Sequence, residues 1–256
     1  MIEAMNIVPV PAFSDNYIWL ITHGNHAAVV DPGDAAPVQD YLRQHRLVLS
    51  AILITHRHDD HVVGVPELLR HSQVPVYAPR HENLAFSFEG VGEGDVVTLP
   101  HLPVDFRVLD VPGHTSKHVA YYGGNSLFCG DTLFGCGCGR IFDGNTEDLY
   151  RSLQKLAALP DETQVYCTHE YTLANERFAR LIDPDNAELM RRVTSDQLQR
   201  DQGNPTLPST IAVEKATNPF LRCHTPAIRK AAQEHGFATN TAAEIFSAIR
   251  TLKNNY

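Results

Sequence analysis

The segment at residues 55–61 reads T-H-R-H-D-D-H and directly follows a run of four apolar residues. Imidazole and carboxylate side chains are the ligands that zinc, iron and manganese accept. Side chains alternate along an extended chain, so His56 and His58 point to the same side. Asp60 and His61 then follow where the chain turns into a helix. The segment predicts a metal site at a strand end, where one ion could use the first pair and a second ion the next.

Three further strand ends carry side chains of the same kinds. His114 follows a Pro-Gly turn, Asp131 follows an apolar strand and a glycine, and His169 follows another apolar strand. A single histidine in such a position is more often structural than a ligand. The four strand ends together supply five histidines and two aspartates. This set is large enough for two ions that share one carboxylate, so the pattern predicts a binuclear site.

The composition is that of a globular protein, long enough for one large domain or two smaller ones. Of the 256 residues, 43% are hydrophobic and 20% are charged, which argues against disorder. The formal net charge of −9 disfavours nucleic acid as a partner. No stretch approaches the roughly eighteen apolar residues of a membrane span, and the N-terminus lacks the pattern of a signal peptide. We expect a monomer without a nucleic-acid or membrane partner.

Five cysteines, an odd number, show no disulfide framework, which suits a reducing cytoplasm. Cys136 and Cys138 form a C-x-C pair that could belong to a zinc site. Without a second pair that signal is weak, and a glycine-rich loop with two incidental thiols is the better interpretation. The histidines outside the strand-end positions are interpreted as surface or hydrogen-bonded residues: His23, His26, His45, His71, His81, His101, His118, His224 and His235.

Short β-strands separated by turn signals dominate the chain up to about residue 168. Apolar runs predict strands at 16–22, 27–31, 48–54, 75–77, 96–99, 106–111, 119–122, 127–129 and 165–168, and helices at 37–45 and 62–71. Later periodicity predicts helices at 171–181, 186–202, 227–235 and 241–252. We therefore expect an α+β protein, with two packed sheets in a catalytic domain at 1–168 and a smaller α-helical domain at 169–256.

The motif T-H-x-H-x-D-H, together with the later His, Asp and His, resembles the metallo-β-lactamase superfamily. The resemblance implies an αββα sandwich with two bound metal ions. The implied ligands are His56, His58 and His114 for the first ion and Asp60, His61 and His169 for the second, with Asp131 bridging the two. Zinc is the expected metal, although such ligands also accept iron or manganese. Asp59, at the variable position of the motif, is expected to face solvent or, as the alternative, to support a ligand from outside the metal site.

Three other segments resemble one family of that superfamily, glyoxalase II or hydroxyacylglutathione hydrolase. They are P-A-F-S-D-N-Y-I-W at 11–19, G-D-T-L-F at 130–134 and T-H-E-Y-T at 168–172. The resemblance extends over essentially the whole chain, including the helical end. It implies hydrolysis of the thioester S-D-lactoylglutathione to D-lactate and glutathione, the second step of methylglyoxal detoxification. The implied nucleophile is a metal-bridging hydroxide, for which Asp60 and Asp131 serve only as ligands.

The same resemblance implies the residues that bind glutathione. Arg250 and Lys253 lie one helical turn apart and project from one face, and with Arg140 they would bind the glycyl carboxylate. Tyr171 would donate its hydroxyl near the glutathione backbone. From the residues alone, a favourable interaction with the helix dipole explains the Arg-x-x-Lys pair better. Phe142 stands where animal members carry tyrosine, which implies one substrate hydrogen bond fewer.

Other activities on this fold remain open from the sequence. A glutathione persulfide dioxygenase needs a single iron, and the complete second ligand set argues against it. A phosphodiesterase or RNA-processing nuclease would need a broad basic surface, which the acidic composition does not offer. A β-lactamase would be exported, and a binding module would have little use for seven metal ligands.

Overall fold

The computed structural model describes residues 5–256. Residues 1–4, on which the predicted absence of a signal peptide partly depends, lie outside this range. The chain forms two compact units by contact density. The first runs to Asp110 and includes Lys117–Gly130, and the second consists of Val111–Ser116 and Asp131–Tyr256. The domain boundary at residues 168 and 169 remains a prediction.

The first unit is rich in strands. In chain order they are β1 (Asn6–Ala12), β2 (Asn16–His23), β3 (His26–Val30), β4 (Val48–Leu53), β5 (Val76–Pro79), β6 (Glu89–Val91), β7 (Val96–Thr98), β8 (Asp105–Asp110), β9 (Val119–Gly123) and β10 (Ser126–Gly130). Strands β1 to β6 form one sheet in chain order, antiparallel from β1 to β3 and parallel from β3 to β6. Strands β7 to β10 pair antiparallel in the order β10-β9-β8-β7.

The hairpin of β2 and β3 follows from local sequence. His23 pairs with His26, which leaves the predicted two-residue turn at Gly24 and Asn25. Gly24 has φ +56°, a conformation that glycine adopts without the steric cost of a side chain. The adjoining strand β4 is apolar except for Ser50 and buried in all but its first residue, as expected of a central strand covered on both faces. The ligand segment at 55–61 therefore begins at a rigid strand end.

Three helices belong to the first unit: α1 (Ala35–His45), α2 (Asp59–Val62) and α3 (Val65–His71). Val38 of α1 and Leu68 of α3 pack with Ile52 of β4 in one apolar cluster. On the other side, the buried Tyr121 hydroxyl of β9 lies 2.9 Å from the Ile54 carbonyl oxygen. The end of β4 is thus enclosed between helices and a second layer of strands.

The helix predicted at 62–71 is confirmed for Val65–His71, which is α3, but it is not continuous, because α2 ends at Val62 and the chain turns before α3 begins. The backbone N–H of Gly64 donates to the Pro32 carbonyl at 3.1 Å, not to a carbonyl of its own helix. A Cβ at Gly64 would lie 2.5 Å from that same oxygen, so the close approach requires glycine. The break brings the turn after β3 against the ligand segment.

The second unit is mainly helical. Its elements are β11 (Leu133–Phe134), β12 (Gly137–Cys138), α4 (Thr146–Ala157), β13 (Gln164–Cys167), α5 (Thr172–Ile182), α6 (Ala187–Asp201), β14 (Ser209–Thr210), α7 (Ile211–Thr217), α8 (Pro226–Glu234) and α9 (Ala242–Asn254). Strands β11 and β12 form a short hairpin, and β13 pairs antiparallel with β14. Side-chain caps begin several helices: Asn145 for α4, Asn186 for α6 and Thr241, in a capping box, for α9. Within the described residues, no helix has the length and apolar character to cross a bilayer.

Candidate metal centre

His56 and His58 converge in the first unit, as their spacing predicted. His56 Nε2 lies 3.0 Å from His58 Nδ1. The Thr55 hydroxyl lies 3.1 Å from His56 Nδ1 and already donates to Asp31, so it accepts from the Nδ1–H group. This hydrogen bond places the proton on Nδ1 and leaves the Nε2 lone pair for a cation. His56 is fully buried, so its ring orientation is fixed by packing as well.

Asp31, which the sequence interpretation did not assign to the site, supports two of the candidate ligands. Its Oδ1 accepts the Thr55 N–H at 2.7 Å, and its Oδ2 accepts the Thr55 hydroxyl at 2.7 Å. The same Oδ2 lies 3.0 Å from His61 Nδ1. A carboxylate beside the distal ring nitrogen orients a ligating histidine and raises its basicity. Asp31 has φ +51°, unusual for a residue other than glycine, which marks it as tightly constrained.

Asp60 and His61 occupy the first turn of α2, where the sequence predicted that the chain becomes helical. His61 Nε2 lies 3.6 Å from Asp60 Oδ2, and Asn16 Nδ2 donates to that oxygen at 3.0 Å. A Cβ at Gly33 would lie 1.9 Å from the Asp60 carbonyl oxygen, so only glycine permits this approach. Asp59 is exposed, which confirms that it faces solvent.

His118 is buried, unlike most of the histidines that the sequence left outside the site. Its ring stacks on that of His56 at a centroid distance of 4.5 Å and an angle of 19°. Its Nδ1–H donates to the Val119 carbonyl at 3.0 Å. The sequence left open whether such histidines lie at the surface or are hydrogen-bonded, and His118 is hydrogen-bonded. It also packs on a candidate ligand, His56. The sequence offered a signal only in its closeness to His114.

The candidate ligands of the second unit meet at one oxygen atom. Asp131 Oδ2 lies 3.6 Å from His114 Nε2 and 3.4 Å from His169 Nε2. All three side chains are buried. A carboxylate oxygen between two imidazole nitrogens fits a ligand that serves more than one cation. The three residues come from separate strand ends, which the fold has brought together.

A backbone carbonyl fixes the tautomer of His114. His114 Nδ1 lies 2.7 Å from the Arg140 carbonyl oxygen, which can only accept, so the proton resides on Nδ1 and Nε2 is the candidate ligand atom. Gly139 packs closely against both His114 and Asp131. A Cβ at this position would lie 2.0 Å from the Asp131 carbonyl oxygen and 3.0 Å from His114 Nδ1. The turn at residues 138–140 is thus in direct contact with two candidate ligands.

Aromatic rings surround the ligands of the second unit. The Tyr171 ring stacks on His169 at 4.7 Å with an angle of 5°, and Phe134 meets His169 edge-on at 5.8 Å. Phe142 is largely exposed, and its ring contacts His114 edge-on at 5.1 Å. These rings restrict the ligand rotamers and provide an apolar wall beside the polar atoms.

The donors fit a divalent metal ion. Imidazole nitrogens and carboxylate oxygens are the atoms that zinc, iron and manganese accept. All seven predicted ligands belong to groups of side chains that could hold a metal ion: His56, His58, Asp60, His61, His114, Asp131 and His169. Cys136 and Cys138 are buried free thiols outside those groups.

The candidate substrate-binding residues have contrasting environments. Arg140 is exposed and Tyr171 is 36% exposed. Arg250 is only 4% exposed, and its Nη1 donates to the Cys138 carbonyl at 3.0 Å. Lys253 Nζ lies 5.1 Å from the Phe178 ring centroid. Burial, with Arg250 and Arg177 nearby, lowers the pKa of Lys253 to about 8.

A buried charge network that the sequence did not reveal lies behind the β11–β12 hairpin. Glu214 accepts the Cys136 backbone N–H at 2.9 Å and lies 2.8 Å from Arg192 Nη2. Arg192 Nε is 3.1 Å from Asp196 and 3.7 Å from Glu176. Three carboxylates thus surround one guanidinium. Burial, and then the charge of Asp196, raises the pKa of Glu176 to about 8.

Comparison with known proteins covers both units. Residues 12–169 match the metallo-β-lactamase superfamily, and residues 170–256 match the C-terminus of hydroxyacylglutathione hydrolase. The chain is 52% identical to a hydroxyacylglutathione hydrolase of Nitrosomonas eutropha, over 98% of this chain and 99% of that protein. The same enzyme of Nitrosomonas europaea is also 52% identical, over 98% of this chain and 97% of that protein.

A solved structure is similar as well. The crystal structure of ETHE1 from Myxococcus xanthus is 26% identical with a TM-score of 0.67, over 97% of this chain and 91% of that one. These similarities confirm the predicted α+β fold of the metallo-β-lactamase type.

Proposed function

This chain belongs to the hydroxyacylglutathione hydrolase family of the metallo-β-lactamase superfamily, and from that premise we propose that it hydrolyses S-D-lactoylglutathione to D-lactate and glutathione. The observation that carries the proposal is that two adjoining family matches together cover almost the whole chain. The superfamily match ends at residue 169 and the match to the hydrolase C-terminus begins at residue 170. A relative at 52% identity spans both segments, which favours this thioester hydrolase over the other activities of the fold.

We assign two divalent metal ions to the seven candidate ligands, with zinc as the native metal. His56, His58 and His114 would hold one ion, Asp60, His61 and His169 the other, and Asp131 both. The tautomer of His56, fixed by Thr55, and that of His114, fixed by the Arg140 carbonyl, support ligation through Nε2. Such ions supply Lewis acidity and lower the pKa of coordinated water, so that a nucleophile is available at neutral pH.

The protein's own residues hold and orient the reacting groups. Asp60 and Asp131 act only as ligands, and Asn16 fixes the orientation of the Asp60 carboxylate. Phe142 and the stacked Tyr171 would shield the thioester from bulk water. The leaving glutathione thiolate is a weak base, so expulsion needs no separate general acid from the chain.

The glutathione moiety would be bound by residues of the second unit. Its glycyl carboxylate would meet cations, and Arg140 and Lys253 are the better exposed of the candidates. A pKa of about 8 leaves most Lys253 side chains protonated at neutral pH. Tyr171 would donate its hydroxyl to the peptide backbone. Arg250 completes the proposed set, although its burial limits direct contact.

We further propose that the enzyme is a monomer and acts in the cytoplasm. The five cysteines are all buried and free, as suits a reducing compartment. The net charge of −9 argues against a nucleic-acid partner.

The direct test is hydrolysis of S-D-lactoylglutathione, followed as loss of thioester absorbance, with metal-loaded and chelator-stripped protein. We expect rapid turnover that disappears with the metal and returns when zinc is added back. Absence of turnover by protein that binds two metal ions per chain would leave the fold intact and eliminate this substrate.

A further inference from the structure

The turn at residues 138–140 connects the C-terminal helix to the ligands of the second unit. On one side it contacts His114 and Asp131, through the Arg140 carbonyl and the close approach of Gly139. On its other side lies the guanidinium of Arg250, a residue of α9. The geometry of these two ligands therefore depends on what holds the turn.

Arg250 holds the turn by its carbonyl groups. Its Nη1 donates to the Cys138 carbonyl at 3.0 Å and lies 3.4 Å from the Gly139 carbonyl. The guanidinium also packs over the Phe220 ring, with its central carbon 5.0 Å from the ring centroid. A buried guanidinium that is both stacked and hydrogen-bonded has one orientation available to it. Burial at 4% exposure suits a structural contact better than direct contact with a ligand in solution.

We propose that Arg250 is a positioning residue for the metal centre, which fixes the 138–140 turn so that the Arg140 carbonyl holds His114 in its Nδ1–H tautomer. The role rests on the proposed assignment of His114 and Asp131 as ligands. It is separate from any contact with glutathione, because it operates without substrate. Groups that orient a ligating histidine from outside the metal's immediate surroundings typically affect metal affinity about 10–100-fold when removed.

Lys253 offers a matched control on the same helix. It lies one turn further along α9, carries the same charge and is less buried. Its Nζ lies 3.4 Å from the Ala174 carbonyl and near the rings of Phe178 and Tyr256. None of these contacts belongs to the 138–140 turn. A loss of charge at Lys253 should therefore affect substrate binding without changing metal affinity.

The experiment measures zinc affinity of the full chain without substrate, by competition with a chromophoric chelator. Arg250→Lys keeps the charge, but a single ammonium cannot stack on Phe220 and bond to the turn in the same way. We expect this variant to bind zinc about tenfold more weakly than wild type, the lower end of the usual range for such groups. Lys253→Gln should stay within about twofold. Wild-type affinity in Arg250→Lys together with a raised KM would overturn the proposal and leave Arg250 as a substrate-binding residue only.

A spectroscopic measurement isolates the tautomer itself. In the zinc-loaded wild type, ¹⁵N NMR of the histidine rings should show His114 as a single Nδ1–H form. In Arg250→Lys we expect that signal to shift or broaden, whereas the rings of His56 and His61 should keep their wild-type signals. An unchanged His114 signal would contradict the positioning role even if activity fell.

Folding is checked by circular dichroism of the metal-free variants. If Arg250→Lys does not fold, Phe220→Leu replaces it, since it loosens the guanidinium without removing the donor. We expect a smaller loss of zinc affinity in the same direction, and unchanged affinity there overturns the proposal. Failure of the proposed function would be recognised separately, as a wild type that binds zinc but does not cleave the thioester.

Discussion

The two units present their candidate ligands in different ways. In the first unit, His56, His58, Asp60 and His61 lie within one segment, and a single carboxylate, Asp31, reaches two of the rings directly or through Thr55. In the second unit the three ligands come from separate segments, and they are oriented by a backbone turn. In the first unit, the ligands are close together because they are neighbours in the sequence. In the second unit, the packing of helices brings together the residues that hold the ligands.

This difference determines how each set should respond to mutation. The first set depends on one side chain that touches the ligands. The second set depends on several groups that each hold part of one hairpin and turn: Glu214, Asn218, Asn175 and Arg250. Among the groups that orient the ligands, we therefore expect one large effect in the first unit and several smaller effects in the second.

The largest effect is expected at Asp131, whose Oδ2 lies between His114 and His169. Asp131→Ala should lower metal content and turnover together. Loss of Lewis-acid stabilisation worth several kcal/mol corresponds to a loss in kcat of ~10³-fold or more. Metal analysis and thioester kinetics measure the two effects on the same sample. Asp59→Asn, at an exposed carboxylate, should match wild type, and an Asp131 variant with two bound metals and a normal rate would end the binuclear assignment.

A smaller effect is expected at Asp31, the carboxylate behind the first set. Asn has a single acceptor oxygen, so it cannot accept the Thr55 N–H at one position and also face the Thr55 hydroxyl and His61 with an acceptor at the other. We expect Asp31→Asn to weaken zinc binding about 100-fold, the upper end of the usual range for such groups, with exposed Asp40→Asn as the control. Glu214→Gln in the second unit should have the weaker effect on zinc affinity. Equal losses in Asp31→Asn and Glu214→Gln would show that the two ligand sets are supported alike.

The charge network of the second unit should make its stability depend on pH. The pKa of Glu176 is raised from the usual 4.5 to about 8. Between these two pH values, the folded protein therefore holds a proton on Glu176 that the unfolded chain has lost. The stabilisation of the folded protein by this protonated carboxyl is complete below about pH 4.5 and is lost as pH rises through about 8. Within that window it falls by about 1 kcal/mol per pH unit.

Glu176→Gln tests this dependence, because glutamine cannot ionise. The melting temperature of the variant relative to wild type should rise between pH 5 and pH 9, as measured by thermal melts of both proteins. Glu234→Gln, at an exposed position in α8, should show a constant difference. A flat difference for Glu176→Gln would mean that the carboxyl is already ionised in the folded protein.

The smallest effect is expected at Lys253, which lies on the same helix as Arg250 but does not contact the turn. Lys253→Gln should raise KM for the glutathione thioester about fivefold near pH 7, or ~1 kcal/mol, with kcat unchanged. Wild-type KM should itself rise above pH 8 as Lys253 loses its proton, so that the two proteins converge at high pH. Parallel KM profiles from pH 6.5 to 9 would exclude Lys253 from binding the carboxylate.

The sequence predicted the ligand types and the strand ends because both are local properties. Alternation places His56 beside His58, and an apolar run identifies β4. The groups that orient the ligands were missed, because an Asp31 or a Glu214 acquires its role only from a partner far along the chain. Helix α4 was missed although its signals were present, since Asn145 caps it and Leu149 and Leu153 lie on its buried face. The role of each ligand stays a prediction until metal is measured.

The buried thiols have a consequence for an enzyme that releases glutathione. Burial raises the pKa of Cys136, Cys138 and Cys223, so all three remain neutral thiols at physiological pH. Only thiolates attack disulfides at appreciable rates, and none of these sulfurs is accessible to a tripeptide. The enzyme can therefore work in a high concentration of glutathione and its oxidised disulfide without acquiring mixed disulfides at these positions. A change in the redox state of the glutathione pool should therefore not inactivate the enzyme through these three thiols.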